Sequence, residues 1–436
     1  MNRRTSWRAL GAVVAGSALV ISLAHSQESD RTALDLELGA EHSDNVGRVP
    51  VDEQSDTIGT ASIALALERH RPKLEADISG NLQYRRYFDD SFGDEVIGGA
   101  DAYVGWLILP ERFVWVVEDN YGQVTRNPLQ ADTPDNREQT NFLSTGPDIT
   151  LPLGSRMVFL LSGRYSDNYY EESLGSNQSV EATAGLGRKL SEQTVLSLNG
   201  SVRDIEYDDS DVFTDYKISS AYLRLASTGA RTTLEMDAGY SEAERDGRTK
   251  DGPMFRLDAS YEITSRSTVS LSAGHVFTDS GNALRTDQRA LGPGQDVNTT
   301  LASGDVYRDT YGYLTFDTGR DTTTLSTSLF GRKERHVDQV ALDRDIVGAG
   351  LTWSHRLNSR LELNFEGSYN DEKFVVDDLA FQEWFVGLGL GVRLTSAVSV
   401  RMSVYHNVGS GDGTSRDYEE NTAYLGIRYS TGRGGR

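Results

Sequence analysis

Leu361-Glu362-Leu363-Asn364-Phe365-Glu366-Gly367-Ser368-Tyr369 is the stretch on which the fold turns. Leu361, Leu363, Phe365, Gly367 and Tyr369 share one parity; Glu362, Asn364, Glu366 and Ser368 share the other. A period of two places those sets on opposite faces of a strand, one apolar and one polar. Phe255, Leu257, Ala259 and Tyr261 alternate in the same way with Arg256, Asp258, Ser260 and Glu262. So do Val398, Val400, Met402 and Val404 with Ser399, Arg401 and Ser403. Stretches of roughly ten residues with this alternation recur from Leu34 to the final turn, the signature of a β-barrel whose outside meets lipid.

Two kinds of connection separate the strands. Short ones lie at 70–73, 109–112, 152–155, 190–193, 227–230, 264–267, 318–321, 357–359 and 395–397. The others are mostly longer and more acidic, at 46–56, 89–95, 127–139, 171–177, 208–211, 247–252, 280–303, 333–345, 375–379 and 409–417. The two kinds alternate, as the tight periplasmic turns and larger extracellular loops of outer-membrane barrels do. A soluble β-sandwich does not segregate its loops in this manner. The expected fold is therefore all-β, a transmembrane antiparallel up-and-down β-barrel of about 20 strands. The count becomes about 18 if the weakly patterned segments around 142–151 and 306–316 are not strands.

Composition agrees. Hydrophobic residues make up 37% of the 436, and after position 26 no long apolar run appears. A helical bundle needs several runs of about 20 apolar residues, whereas a barrel needs apolar side chains only at alternate positions. The net charge of −22 argues against a nucleic-acid binder, which requires a basic surface. Arg3, Arg4 and Arg8, the uncharged stretch Leu10 to Leu23 and the small-x-small site Ala24-His25-Ser26 read as an export signal. The expected division is a signal peptide over 1–26, cleaved before Gln27, and a barrel over 27–436, localised to the outer membrane. With no cysteine, the chain has no disulfide, thiolate metal site, cysteine nucleophile or lipoprotein processing.

Aromatic residues supply a second pattern. Tyr84, Tyr87, Tyr121, Tyr165, Tyr169, Tyr207, Tyr240 and Tyr369 lie near the ends of strands rising from the periplasm. Phe142, Tyr216, Phe255, Tyr307, Trp384 and Tyr418 lie near the starts of falling strands. Together they predict an upper aromatic girdle, with Trp106, Trp115 and Trp353 in the lower one. The last strand, 421–430, points Ala423, Leu425, Ile427 and Tyr429 outward. An aromatic-ended final strand suits recognition by the outer-membrane assembly machinery; here the tail 431–436 follows it.

Several segments resemble the beta-barrel porin family associated with exopolysaccharide systems. They are Glu41-His42-Ser43-Asp44-Asn45-Val46, Asn81-Leu82-Gln83-Tyr84-Arg85-Arg86-Tyr87-Phe88-Asp89 and Trp115-Val116-Val117-Glu118-Asp119-Asn120-Tyr121-Gly122-Gln123, with Ser144-Thr145-Gly146-Pro147-Asp148 and Gly163-Arg164-Tyr165. The resemblance implies an outer-membrane barrel through which a surface polysaccharide leaves, beside a periplasmic polysaccharide-export protein. It carries no catalytic residue.

Parity assigns the lumen-facing side chains. Candidates for the solute path are Arg85, Arg164, Arg203, Tyr222, Arg224, Arg256, Asp258, Glu262, Glu362, Glu366, Arg393, Arg401, Tyr424 and Arg428. Glu75, Asp77, Glu235 and Asp237 fall on the same side. Charges of both signs hold water in any polar lumen and also orient a permeating solute. The acidic loops at 89–90, 208–211 and 377–378 lack the spacing of a calcium loop, so no metal and no cofactor is expected. Neither a Gly-x-Ser-x-Gly elbow nor His-Glu-x-x-His is present, and an enzyme is not expected. The expected function is a conduit for exopolysaccharide, with lipid and lipopolysaccharide around it. The alternatives are a general diffusion porin, constricted by 280–303 folding inward, and a plugged structural or adhesive barrel.

Overall fold

The computed structural model describes residues 30–173, 175–209, 212–291, 305–376, 378–411 and 416–431. The expected signal peptide lies outside these residues. Twenty strands wind in chain order. They begin β1 (Asp30–Ser43), β2 (Asp56–Arg71), β3 (Leu74–Tyr87), β4 (Glu95–Leu109) and β5 (Phe113–Thr125). Next come β6 (Arg137–Leu153), β7 (Met157–Tyr170), β8 (Asn177–Lys189), β9 (Thr194–Tyr207) and β10 (Tyr216–Thr228). Then follow β11 (Thr232–Arg245), β12 (Arg248–Thr264), β13 (Ser267–Thr278), β14 (Tyr307–Arg320) and β15 (Thr323–His336). The last are β16 (Arg344–Arg356), β17 (Leu361–Phe374), β18 (Ala380–Arg393), β19 (Val398–Gly411) and β20 (Tyr418–Ser430). The segments that read weakly in sequence are the strands β6 and β14.

Every sequential pair is antiparallel, and β1 pairs with β20 from Asp35↔Ser430 to Ser43↔Thr422, which closes the cylinder. Closure matters because an unpaired backbone polar group in hydrocarbon costs several kcal/mol. The fold is a closed antiparallel barrel of the outer-membrane kind. Its outer surface presents Leu38, Val180, Leu198, Leu223, Leu388, Val404 and Ile427, each more than half exposed. Such a continuous apolar surface is stable against lipid and not against water.

Strands run from 12 residues in β13 to 17 in β6 and β12. A tilted strand needs about 9–11 to cross the hydrocarbon, so the excess projects past it. Glu244↔Thr249 and Arg245↔Arg248 still pair above the membrane, so 247–252 is mostly strand rather than the expected loop. Connection 280–303 also differs from expectation: it begins with helix α1 (Ser280–Leu291).

The aromatic residues divide by face. Tyr84, Tyr165, Tyr169, Tyr240 and Trp384 are exposed outward, as are Trp106 and Trp115 near the short turns. Tyr87, Phe142, Tyr207, Tyr216, Tyr307 and Tyr418 are instead buried at 6% exposure or less. They point inward at the loop end and fill the mouth of the lumen. Their height along the strand was readable; parity places them on the inner wall instead of the girdle.

Candidate functional site

The loop end of the lumen is crossed by two spans. One is α1, which leaves β13 and reaches β5 and β6 on the facing wall. Asp279 caps it: Oδ1 accepts the Asn282 backbone N–H at 2.9 Å, satisfying a donor that the helix start leaves open. Arg203 of β9 pairs with the same carboxylate at 2.9 Å, and the Tyr216 hydroxyl donates to it at 3.2 Å. Burial alone would raise the Asp279 carboxyl, but Arg203, Asn282 and Tyr216 hold it below the usual aspartate range. Further along, Arg285 Nη1 meets Glu118 Oε2 of β5 at 3.0 Å and lies over the Phe142 ring of β6. Ala283 is 1% exposed between these anchors.

The second span is the connection between β5 and β6. Its Ala131 packs on Phe381 of β18 and Tyr418 of β20. Arg48, from the connection after β1, binds Glu420 at 3.0 Å, Glu383 at 3.6 Å and Asp132 at 3.9 Å. Arg137 holds Asp132 at 2.6 Å, so burial, which would raise that carboxyl, is overcome and it is lowered. Between the spans, Arg344 binds Glu334 at 2.6 Å and Glu372 at 2.5 Å, and Arg332 binds Asp309 at 3.0 Å. Arg416 sits over Phe381 and reaches Glu372 at 3.3 Å. Buried charges persist only when paired and hydrogen-bonded, and each charged group of this belt has at least one ion-pair partner.

Beneath α1 lies a chamber of about 780 Å³, walled by β6 to β15. Arg164, Arg203, Tyr222, Arg224, Arg256 and Asp258 from the sequence reading line it, with Glu181 and Glu235. Arg164 binds Asp148 at 2.8 Å. Arg224 takes the two inward acids of β11, with Nε and Nη2 each 2.7 Å from Asp237 and Nη1 at 3.1 Å from Glu235. Tyr222 lies under Arg224, 5.5 Å from Cζ to ring centroid. Asp258 accepts from Ser272 Oγ at 2.8 Å.

The remaining candidates sit elsewhere on the wall. Arg85 binds Glu41 at 2.6 Å between β3 and β1. Arg401 stands over Tyr424 at 5.1 Å and near Glu37 at 3.7 Å, while Arg428 pairs with Asp35 across the closing seam. Glu362 and Glu366 are half-buried on β17. Glu262 and Arg393 are exposed at the short-turn end, where Glu75 and Asp77 flank His70. Sequence reasoning passed over Glu118, Asp279, Arg285, Arg48 and the Arg344 belt. The available signal was charge at inward parity on a strand, as at Glu118 and Arg344, a costly place unless a partner reaches it.

No protein-family profile matches the chain, and no curated protein matches it. Solved structures of similar fold include the siderophore receptor PirA from Pseudomonas aeruginosa, at 13% identity over 93% of this chain and 81% of that one, TM-score 0.39. Another is PirA from Acinetobacter baumannii, at 10% identity over 93% and 81%, TM-score 0.41. The copper transporter OprC shows 10% identity over 92% and 80%, TM-score 0.39. The expected exopolysaccharide conduit is corrected: no family profile supports the exopolysaccharide resemblance on which it rested. The physical reason lies in the mouth, where buried ion pairs and α1 stand across the course a polymer would take.

Proposed function

We propose that this chain is a gated outer-membrane barrel that transports small polar solutes, with α1 as the gate and the chamber beneath it as the path. The observation that carries this reading is the pairing of a cavity of about 780 Å³, lined by both charged and apolar side chains, with a helix held over it, among the described residues, by ion pairs to the wall. A structural barrel has no use for a hydrated cavity of that size. A permanently open sieve has no use for a docked helix across its mouth.

The polarity of the docking surface supports the same reading. Among the described residues, Asp279 and Arg285 make the ion pairs to the wall, so releasing α1 exposes groups that water solvates well. Removing Ser280–Leu291 and joining its ends with a Gly-Ser linker tests the reading in planar bilayers. The intact barrel should show rare, brief openings, and the shortened one a steady conductance. Equal conductance from both, or none from either while the barrels remain folded, overturns the proposal.

A further inference from the structure

Four of the five chamber arginines are occupied. Arg164 is held by Asp148, Arg203 by Asp279, Arg285 by Glu118, and Arg224 by Asp237 and Glu235 together. Arg256 is the exception. In register it stands opposite Asp237, and Asp258 stands opposite Glu235. Arg224, on the other flank of β11, draws Asp237 and Glu235 to its own side. Among the described residues Arg256 is thereby left with no ion pair or side-chain hydrogen bond, and Asp258 with only the Ser272 hydroxyl.

Arg256 and Asp258 are two apart on one strand and share a face, about 6.6 Å from each other along the backbone. They form no ion pair with one another, and both line the chamber. Across β13 from Arg256 is Gly274, and the ring of Tyr311 lies on it, where a Cβ would meet the ring at 2.4 Å. A free guanidinium, a carboxylate held only by one hydroxyl and a flat ring therefore line the same cavity. Resting on the transport reading above, we propose that Arg256 and Asp258 form a recognition site for a small zwitterion. Its carboxylate meets Arg256, its ammonium meets Asp258, and an apolar side group lies against Tyr311. Arg224 is a positioning residue, since it keeps Asp237 and Glu235 from neutralising Arg256. A simple anion gains from Arg256 but is repelled by Asp258, and a simple cation meets the reverse.

Titration calorimetry on the full-length barrel in detergent, with three probes, tests this. Phenylalanine carries both charges, 3-phenylpropanoate lacks the ammonium, and phenethylamine lacks the carboxylate. Phenylalanine should bind at least about tenfold more tightly than either analogue, as one charge-assisted contact separates them. Arg256→Gln should weaken phenylalanine and phenylpropanoate by about 10- to 100-fold and bind phenethylamine no more weakly, since its repulsion by the guanidinium is removed. Asp258→Asn should weaken phenylalanine and phenethylamine and bind phenylpropanoate no more weakly, since its repulsion by the carboxylate is removed. Arg256→Lys, which keeps the charge without the bidentate fork, should fall between wild type and Arg256→Gln. Heat-shifted mobility checks that each variant is folded. Equal losses for all three probes, or no binding of phenylalanine to the folded barrel, overturns the site. The two readings fail separately: binding without conductance removes the gate and keeps the site, and conductance without zwitterion preference does the opposite.

Discussion

Replacing Arg285 by alanine isolates what holds the helix down. Glu118 is 1% exposed, Arg285 meets one of its oxygens at 3.0 Å, and the other has no hydrogen-bond partner among the described residues. At that separation two charges in a surroundings of effective dielectric near 20 attract by about 5.5 kcal/mol. Arg285 keeps 35% of its side-chain surface in solvent, which screens the pair. Roughly 2 kcal/mol of docking energy is then lost on substitution, a shift of roughly 30-fold between docked and released helix. The absence of cysteine in the chain makes the assay clean. A single Ser201→Cys on the chamber wall reports access of a membrane-impermeant thiol reagent from the loop side. Labelling rate and opening frequency should both rise by roughly 30-fold in Arg285→Ala. Glu118→Gln should raise them comparably, and the double variant no further than either single one. Unchanged labelling in a barrel that keeps its heat-shifted mobility refutes the docking role of this pair.

Three other outcomes are expected. The Asp279 carboxyl is lowered when α1 is docked, so its contribution is complete above an ordinary aspartate value of about 3.9 and is lost as pH falls through the docked value. Opening frequency should therefore stay level from pH 7 to about 4 and climb below it, and Asp279→Asn should flatten that climb. Arg48→Ala strips one cation from Glu420, Glu383 and Asp132 and should destabilise the second span by about 2–4 kcal/mol, read as a lower heat-modification temperature. A Cβ on Gly39 would lie 2.4 Å from the Tyr424 hydroxyl at the β1–β20 seam. Gly39→Val should slow folding of the barrel into detergent or lipid and Tyr424→Ala should relieve it, which gel mobility after refolding measures.

The wall of this barrel was largely legible and the mouth was not. Alternation in Leu361 to Tyr369 is a local property, since the two faces of one strand meet two solvents, and it reads without knowing any neighbour. The same rule put Arg256 and Asp258 on the inner face. It said nothing of which lumen charge pairs with which, because register joins residues far apart in sequence, as Arg85 and Glu41 or Arg428 and Asp35 are. The rings misled for a related reason. Tyr207 and Tyr216 have the heights of girdle residues, yet they pack with Ile205, Ile218 and Phe277 inside the mouth. Helix α1 was hidden because its segment is polar, and its lodging depends on Glu118 and Arg203, 167 residues and 76 residues away in sequence (285 − 118 and 279 − 203).

The two spans across the mouth differ in what fastens them, and the difference decides which moves. The β5–β6 connection rests Ala131 on Phe381 and Tyr418 while Arg48 gathers three carboxylates around its end. Lifting it would expose apolar surface to water, a cost without a return. Among the described residues, helix α1 is fastened by ion pairs, and a desolvated ion pair contributes little net energy, because the attraction is spent against the hydration each partner gives up. Released, Arg285 and Asp279 recover that hydration, and Ala283 is the one buried apolar residue described on the helix. Docking of this kind fixes position sharply while leaving the free-energy difference between docked and released states small. A few kcal/mol is the range in which a ligand's preference for one state moves a population appreciably. The composition of α1, polar where a permanent plug would be apolar, is therefore what a reversible closure over a hydrated chamber requires.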